Sequence, residues 1–150
     1  MLIKRAIEPF VIEAAKFFPI VAILGPRQSG KTTLAKTIFK DYMYVNLEDL
    51  SMRELAESDP KGFLNSYKDS VGVIFDEIQH VPALFSYLQV VVDDQPKNGF
   101  YILTGSQNFA LNEKITQSLA GRVAKLTLLP LSLKELEAAH IIPAKIEEFV

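Results

Sequence analysis

Eight consecutive residues constrain this chain more than any others: Gly25-Pro26-Arg27-Gln28-Ser29-Gly30-Lys31-Thr32. They match G-x-x-x-x-G-K-[ST] at every fixed position, and that pattern works only between a strand and a helix. Pro19-Ile20-Val21-Ala22-Ile23-Leu24 leads in, a short apolar run rich in branched residues that reads as a strand buried on both faces. Residues 31–40 lead out with Leu34, Ile38 and Phe39 at helical spacing. The glycines let successive backbone N–H groups turn inward and form an anion nest, to which the following helix adds its dipole. In such a loop Lys31 reaches the β- and γ-phosphates and the Thr32 hydroxyl ligates Mg²⁺. Pro26, Gln28, Ser29 and Thr33 complete the cradle. Arg27 either touches a phosphate or base, or faces water. The competing reading, a glycine turn with a surface lysine, does not account for the match together with its flanks.

The rest of the chain repeats the strand–helix alternation. Residues 2–18 form a loose helical stripe weakened by Pro9, and Phe17, Phe18 and Phe39 are expected in the core. Strands are expected at Tyr42–Leu47, Val71–Phe75, Phe100–Thr104 and Val123–Leu129. Helices are expected at Asp49–Glu57, from Asp59-Pro60 to Tyr67, at Val81–Val92 and over residues 110–120 ending at Gly121. Ser132-Leu133-Lys134-Glu135 has capping-box spacing and opens another helix, followed by a tail at Pro143–Val150. Five strands alternating with helices imply one three-layer α/β domain over residues 1–150, with a mainly parallel sheet. Ligands of such sheets sit at the carboxyl ends of the strands.

Val73-Ile74-Phe75-Asp76-Glu77 puts two carboxylates at such an end. Asp76 suits the Mg²⁺ coordination shell and Glu77 suits the general base for an attacking water. Adjacent strand residues face opposite ways, so both serve one site only if the chain bends at the tip. The pair favours hydrolysis over small-molecule phosphorylation. A GTPase is disfavoured: Asp69-Ser70-Val71-Gly72 spells D-x-x-G but precedes the strand, and no asparagine is followed by lysine. The tip Thr104-Gly105-Ser106-Gln107 offers Thr104, Ser106 and Gln107 to orient a water. Arg122 is either an arginine finger for a neighbouring subunit or an arginine held by a helix C-terminus. His80 reads as a residue at the start of a helix, and two histidines without cysteine make no zinc pattern.

GPRQSGKTTL, VIFDEIQHVP, ILTGSQNFAL and SLAGRVAKLTLLPLSLKEL, in that order, resemble the AAA+-type P-loop ATPases of bacteria and archaea. The likeness is to the group whose ATPase core is usually followed by a C-terminal domain of unknown function. It spans about residues 2–138. It implies Walker A from Gly25 to Thr33, Walker B at Asp76 with Glu77 as catalytic glutamate, and sensor 1 within Thr104–Gln107, with Ser106 chosen as its catalytic member. It also implies ATP or ADP with Mg²⁺ as ligands, an arginine finger at Arg122 acting in trans within a homo-oligomer, and sheet order 5-1-4-3-2. The helical lid and C-terminal domain of that group have no counterpart in these 150 residues, so a portion of a longer chain is the expectation.

Composition narrows the partners. The formal net charge is −2, which argues against a broad basic face for nucleic acid or anionic lipid. Without cysteine there are no disulfides and no thiolate chemistry. The longest apolar stretch, Phe17 to Leu24, is broken by Pro19 and far short of a membrane span. The expectation is a cytoplasmic domain that hydrolyses ATP, or else a nucleotide-gated binding module with little turnover.

Overall fold

The computed structural model describes residues 5–130 and Glu135. In chain order it contains α1 (Glu8–Phe17), β1 (Ile20–Gly25), α2 (Lys31–Ile38), β2 (Met43–Asn46), α3 (Leu50–Ser58) and α4 (Pro60–Asn65). Then come β3 (Val73–Asp76), a 3₁₀ turn (Ile78–His80), α5 (Leu84–Asp94), β4 (Tyr101–Ser106), α6 (Phe109–Leu119) and β5 (Val123–Thr127). The five strands form one parallel sheet in the order β2-β3-β4-β1-β5, which is the order 5-1-4-3-2 that the resemblance implied.

β1 lies inside the sheet between β4 and β5, and all six of its residues are buried. Its side chains alternate between two cores, as the period of two requires. Ile20, Ala22 and Leu24 pack with Phe75, Leu84, Leu88, Leu111 and Ile115 on one face. Val21 and Ile23 pack with Val11, Leu34, Ala35, Ile74 and Ile102 on the other. Helices α1 and α2 thus cover one side of the sheet, and α3 to α6 supply the other. The buried strand predicted from branched apolar composition therefore belongs to the middle layer of a three-layer sandwich.

Several boundaries move. Pro9 lies in the first turn of α1, where its missing N–H costs nothing, so it starts the helix that it was expected to weaken. Phe17 leaves the predicted aromatic core: it is 68% exposed, whereas Phe39 is buried. Val71 is exposed and precedes β3. The helix expected from Val81 begins at Leu84, after the 3₁₀ turn, and runs to Asp94. β4 reaches Ser106, two residues past the expected end. Of the expected capping box Ser132-Leu133-Lys134-Glu135 only Glu135 is among the described residues, and the tail at residues 143–150 lies outside them.

The sheet register brings the carboxyl ends of β1, β3 and β4 together. Phe75 pairs with Leu103, and Leu103 with Ala22. Asp76 and Thr104 therefore stand at one level. Gly25 and Ser106 pair two residues further on.

Candidate functional site

The loop after β1 is shaped by its glycines. A Cβ on Gly25 would lie 2.1 Å from the Leu128 carbonyl oxygen, so no larger residue fits there. Gln28 (φ 61) and Gly30 (φ 94) both take left-handed backbone, and the Ser29 N–H closes a turn onto the Pro26 carbonyl at 3.3 Å. The Leu34 N–H then bonds the Gly30 carbonyl and opens α2. Lys31 is buried, and its Nζ donates to the carbonyls of Gly25 and Pro26, each at 3.0 Å. The ammonium group thus lies inside the loop, held by the loop's own backbone. Ser29 is 2% exposed, and among the described residues its hydroxyl has no partner. Buried polar atoms are rarely left so, and each calls for an explanation such as a ligand or water. Pro26, Arg27, Gln28 and Thr33 are exposed, and Arg27 pairs with Glu48 at 3.1 Å.

Asp76 is the point on which the other groups converge. The Thr32 Oγ1 donates to its carboxylate and lies 3.0 Å from both oxygens. The buried Thr104 hydroxyl and the Tyr44 phenol also donate to it. Thr104 Oγ1 in turn accepts the Glu77 N–H at 3.1 Å. Of the three polar candidates at the tip of β4, Thr104 meets the acidic pair, because the register places it level with Asp76. Ser106 stands half-buried beyond, opposite Gly25, and Gln107 donates its N–H to the Gly25 carbonyl.

The bend that the acidic pair required is present. β3 ends at Asp76, and Glu77 takes left-handed backbone (φ 59, ψ 52). Among the described residues only Gln28 and Glu77 are non-glycines with positive φ. Such backbone costs roughly 1–2 kcal/mol per residue and concentrates at functional sites. The Glu77 carboxylate accepts a hydrogen bond from Gln79 Nε2. The Gln79 Oε1 is buried without a partner among the described residues, pressed where a Cβ on Gly105 would come within 2.8 Å of it.

Tyr44 escaped the sequence reading. Its phenol is held above its ordinary value by burial and then by the Asp76 carboxylate, so it stays a donor. Lys36 Nζ lies 3.8 Å over its ring. The available signal was alternation: Tyr44 lies two residues before Asn46, and Asn46 pairs with Asp76.

Arg122 stands at the other end of the sheet. The neighbouring Val123 pairs with Ile20, so the length of β1, at about 3.3 Å per residue, separates Arg122 from its own loop. Its guanidinium binds both Asp93 oxygens at 2.7 Å. The D-x-x-G stretch precedes β3 as a turn, and His80 ends the 3₁₀ turn. Among the described residues no three His, Cys, Asp or Glu side chains gather around one point. The Thr32 hydroxyl and the Asp76 carboxylate are hard oxygen donors, and that small set suits Mg²⁺, which usually takes its remaining ligands from water and substrate phosphates.

Residues 17–137 match the family profile described as an AAA domain. The chain belongs to that family. An uncharacterised protein of Methanocaldococcus jannaschii is 34% identical over 125 residues, covering 77% of this chain and 27% of its own length. An uncharacterised protein of Mycobacterium tuberculosis is 30% identical over 118 residues, covering 78% and 26%. The chain thus spans about a quarter of the length of these curated relatives. Among solved structures, a Walker-type ATPase of Pyrococcus abyssi superposes with TM-score 0.61 at 17% identity, over 95% of this chain and 60% of that one. Domain III of the Thermotoga maritima replication initiation protein DnaA gives 0.58 at 20%, over 99% and 77%. At these identities the likeness is one of fold. The AAA domain therefore carries its phosphate loop and acidic pair on the fold of P-loop ATPases. Among the described residues no helix is long and apolar enough to cross a membrane.

Proposed function

We propose that this AAA domain binds ATP with Mg²⁺ and hydrolyses it to ADP and phosphate. The observation that carries the reading is the meeting of the Thr32 hydroxyl from the loop with the Asp76 carboxylate at 3.0 Å. In the proposed site the loop amides and the Lys31 ammonium bind the phosphates, the ammonium exchanging two carbonyl partners for anionic ones. Thr32 and Asp76 hold Mg²⁺, which when bound neutralises charge on the β- and γ-phosphates. Glu77 accepts a proton from water as the water oxygen bonds to the γ-phosphorus and the bond to the β–γ bridging oxygen breaks. ADP leaves with that bridging oxygen. Thr104 holds Asp76 and the Glu77 backbone in register, and Ser106 borders the γ-phosphate side. Arg122 serves a neighbouring copy in a homo-oligomer, once released from Asp93. Such a domain works in the cytoplasm, where ATP is supplied.

The engagement of Glu77 by Gln79 favours a second reading. In it the nucleotide gates a binding surface and turnover is slow. Phosphate release by the unaltered chain and by Glu77→Gln separates the two. Hydrolysis with Glu77 as base predicts a loss of roughly 10²-fold or more in the variant with nucleotide binding retained. Equal rates would remove Glu77 from that role. Binding without release in either protein would favour the gated module.

A further inference from the structure

Arg5 lies before α1 and outside every motif, yet it is 8% exposed and makes three directed contacts. Its Nη1 donates to the Ser29 carbonyl at 2.6 Å, its Nη2 to the Leu129 carbonyl, and its Nε to Glu135 Oε2 at 3.0 Å. The same Glu135 oxygen accepts the Ala6 N–H at 2.8 Å. One planar guanidinium therefore joins three stretches: the phosphate loop, the chain leaving β5, and Glu135 beyond it.

We propose that Arg5 is a positioning residue for the phosphate loop and couples that loop to the chain beyond β5. The proposal rests on the nucleotide reading above. The peptide between Ser29 and Gly30 is planar and trans, so its C=O and N–H point opposite ways. Holding the Ser29 carbonyl on Arg5 turns the Gly30 N–H away from Arg5, the orientation an anion nest inside the loop requires. The contact is close: a Cβ at Gly30 would come within 3.0 Å of Arg5 Nη1. A lysine cannot replace this fork, since one ammonium cannot span two carbonyls and a carboxylate in a fixed plane. The buried guanidinium also places a positive charge behind the loop, with Glu135 balancing it from the far side. Displacing Leu129 or Glu135 loosens Arg5, and through it the loop. By linkage, ligand on the loop tightens the same three-way joint.

The test uses the full chain and Mg-ADP, which avoids turnover. Binding by titration, unfolding in urea, and amide hydrogen exchange without nucleotide are compared in wild type, Arg5→Met, Arg5→Lys and Glu135→Gln. In folded Arg5→Met the Kd is expected to rise roughly tenfold or more, with faster exchange over residues 25–31 and unchanged exchange in β3 and β4. Arg5→Lys is expected to recover part of the loss, and Glu135→Gln to raise Kd by a smaller factor. A folded Arg5→Met with wild-type Kd and wild-type loop exchange, merely easier to unfold, would reduce Arg5 to a staple for the N-terminal segment and overturn the proposal. If Arg5→Met does not fold, wild-type Kd and loop exchange in both other variants would overturn it equally. Failure of the wild type to bind Mg-ADP would sink the nucleotide reading instead, while the exchange comparison still decides whether Arg5 holds the loop.

Discussion

The Thr104 hydroxyl serves two partners at once, donating to Asp76 and accepting the Glu77 N–H, in a side chain with no exposed surface. Thr104→Val keeps the shape and removes both bonds, leaving the part-buried Glu77 N–H unpaired and the carboxylate short of a donor. Unfolding in urea is expected to show a loss of about 2–3 kcal/mol. Phosphate release is expected to fall further than nucleotide affinity, since Lys31 and the loop amides are untouched. A variant as stable as wild type would show that the Thr104 bonds contribute nothing net. Gly25 is decided by backbone and not by chemistry. Gly25→Ala drives a Cβ against the Leu128 carbonyl, and overpacking of this kind costs roughly 1–3 kcal/mol, also readable as a lower urea midpoint.

Asp59 shows how much one residue organises at the level of elements. It ends α3 and caps α4, its carboxylate accepting the Gly62 N–H at 3.0 Å. Asp59→Ala is expected to lower stability by about 1 kcal/mol, as loss of an N-cap does, with nucleotide affinity unchanged because α4 lies away from the loop. A change in affinity there would mean that α3 and α4 communicate with the site. This junction was readable from Asp59-Pro60 alone, as was the strand–loop–helix of Gly25–Thr32. Such features depend on residues close in sequence. What could not be read depends on register and on distant pairs. Thr104 and Ser106 differ only by which one stands level with Asp76. Tyr44 joins the site because β2 and β3 are neighbours. Arg5 reaches Ser29 and Leu129 across 24 and 124 residues of chain, and no local pattern marks it.

Across the whole molecule, the two ends of the sheet differ in kind. The carboxyl end gathers Lys31, Thr32, Asp76, Glu77 and Thr104, while the amino end holds the Arg122–Asp93 pair. Four tyrosines in and around the core add a property of the fold as a unit. Burial pushes the phenols of Tyr42, Tyr67 and Tyr101 up, that of Tyr101 to about 12, and burial with Asp76 raises Tyr44. Folding thus favours the neutral phenol. That stabilisation is complete below the ordinary value of 10.0 and is lost as pH rises toward the folded values. Urea midpoints are expected to decline above about pH 10, and less steeply in Tyr101→Phe. An unchanged slope in that variant would contradict the assignment to Tyr101. The central claim is that the loop and Asp76 form one site for a magnesium nucleotide. Calorimetric titration of Mg-ATP into the wild type and Lys31→Ala tests it most directly. The account predicts saturable binding of one nucleotide per chain, abolished or severely weakened in Lys31→Ala. No saturable binding by the wild type at millimolar Mg-ATP, or equal affinity in the variant, would contradict it.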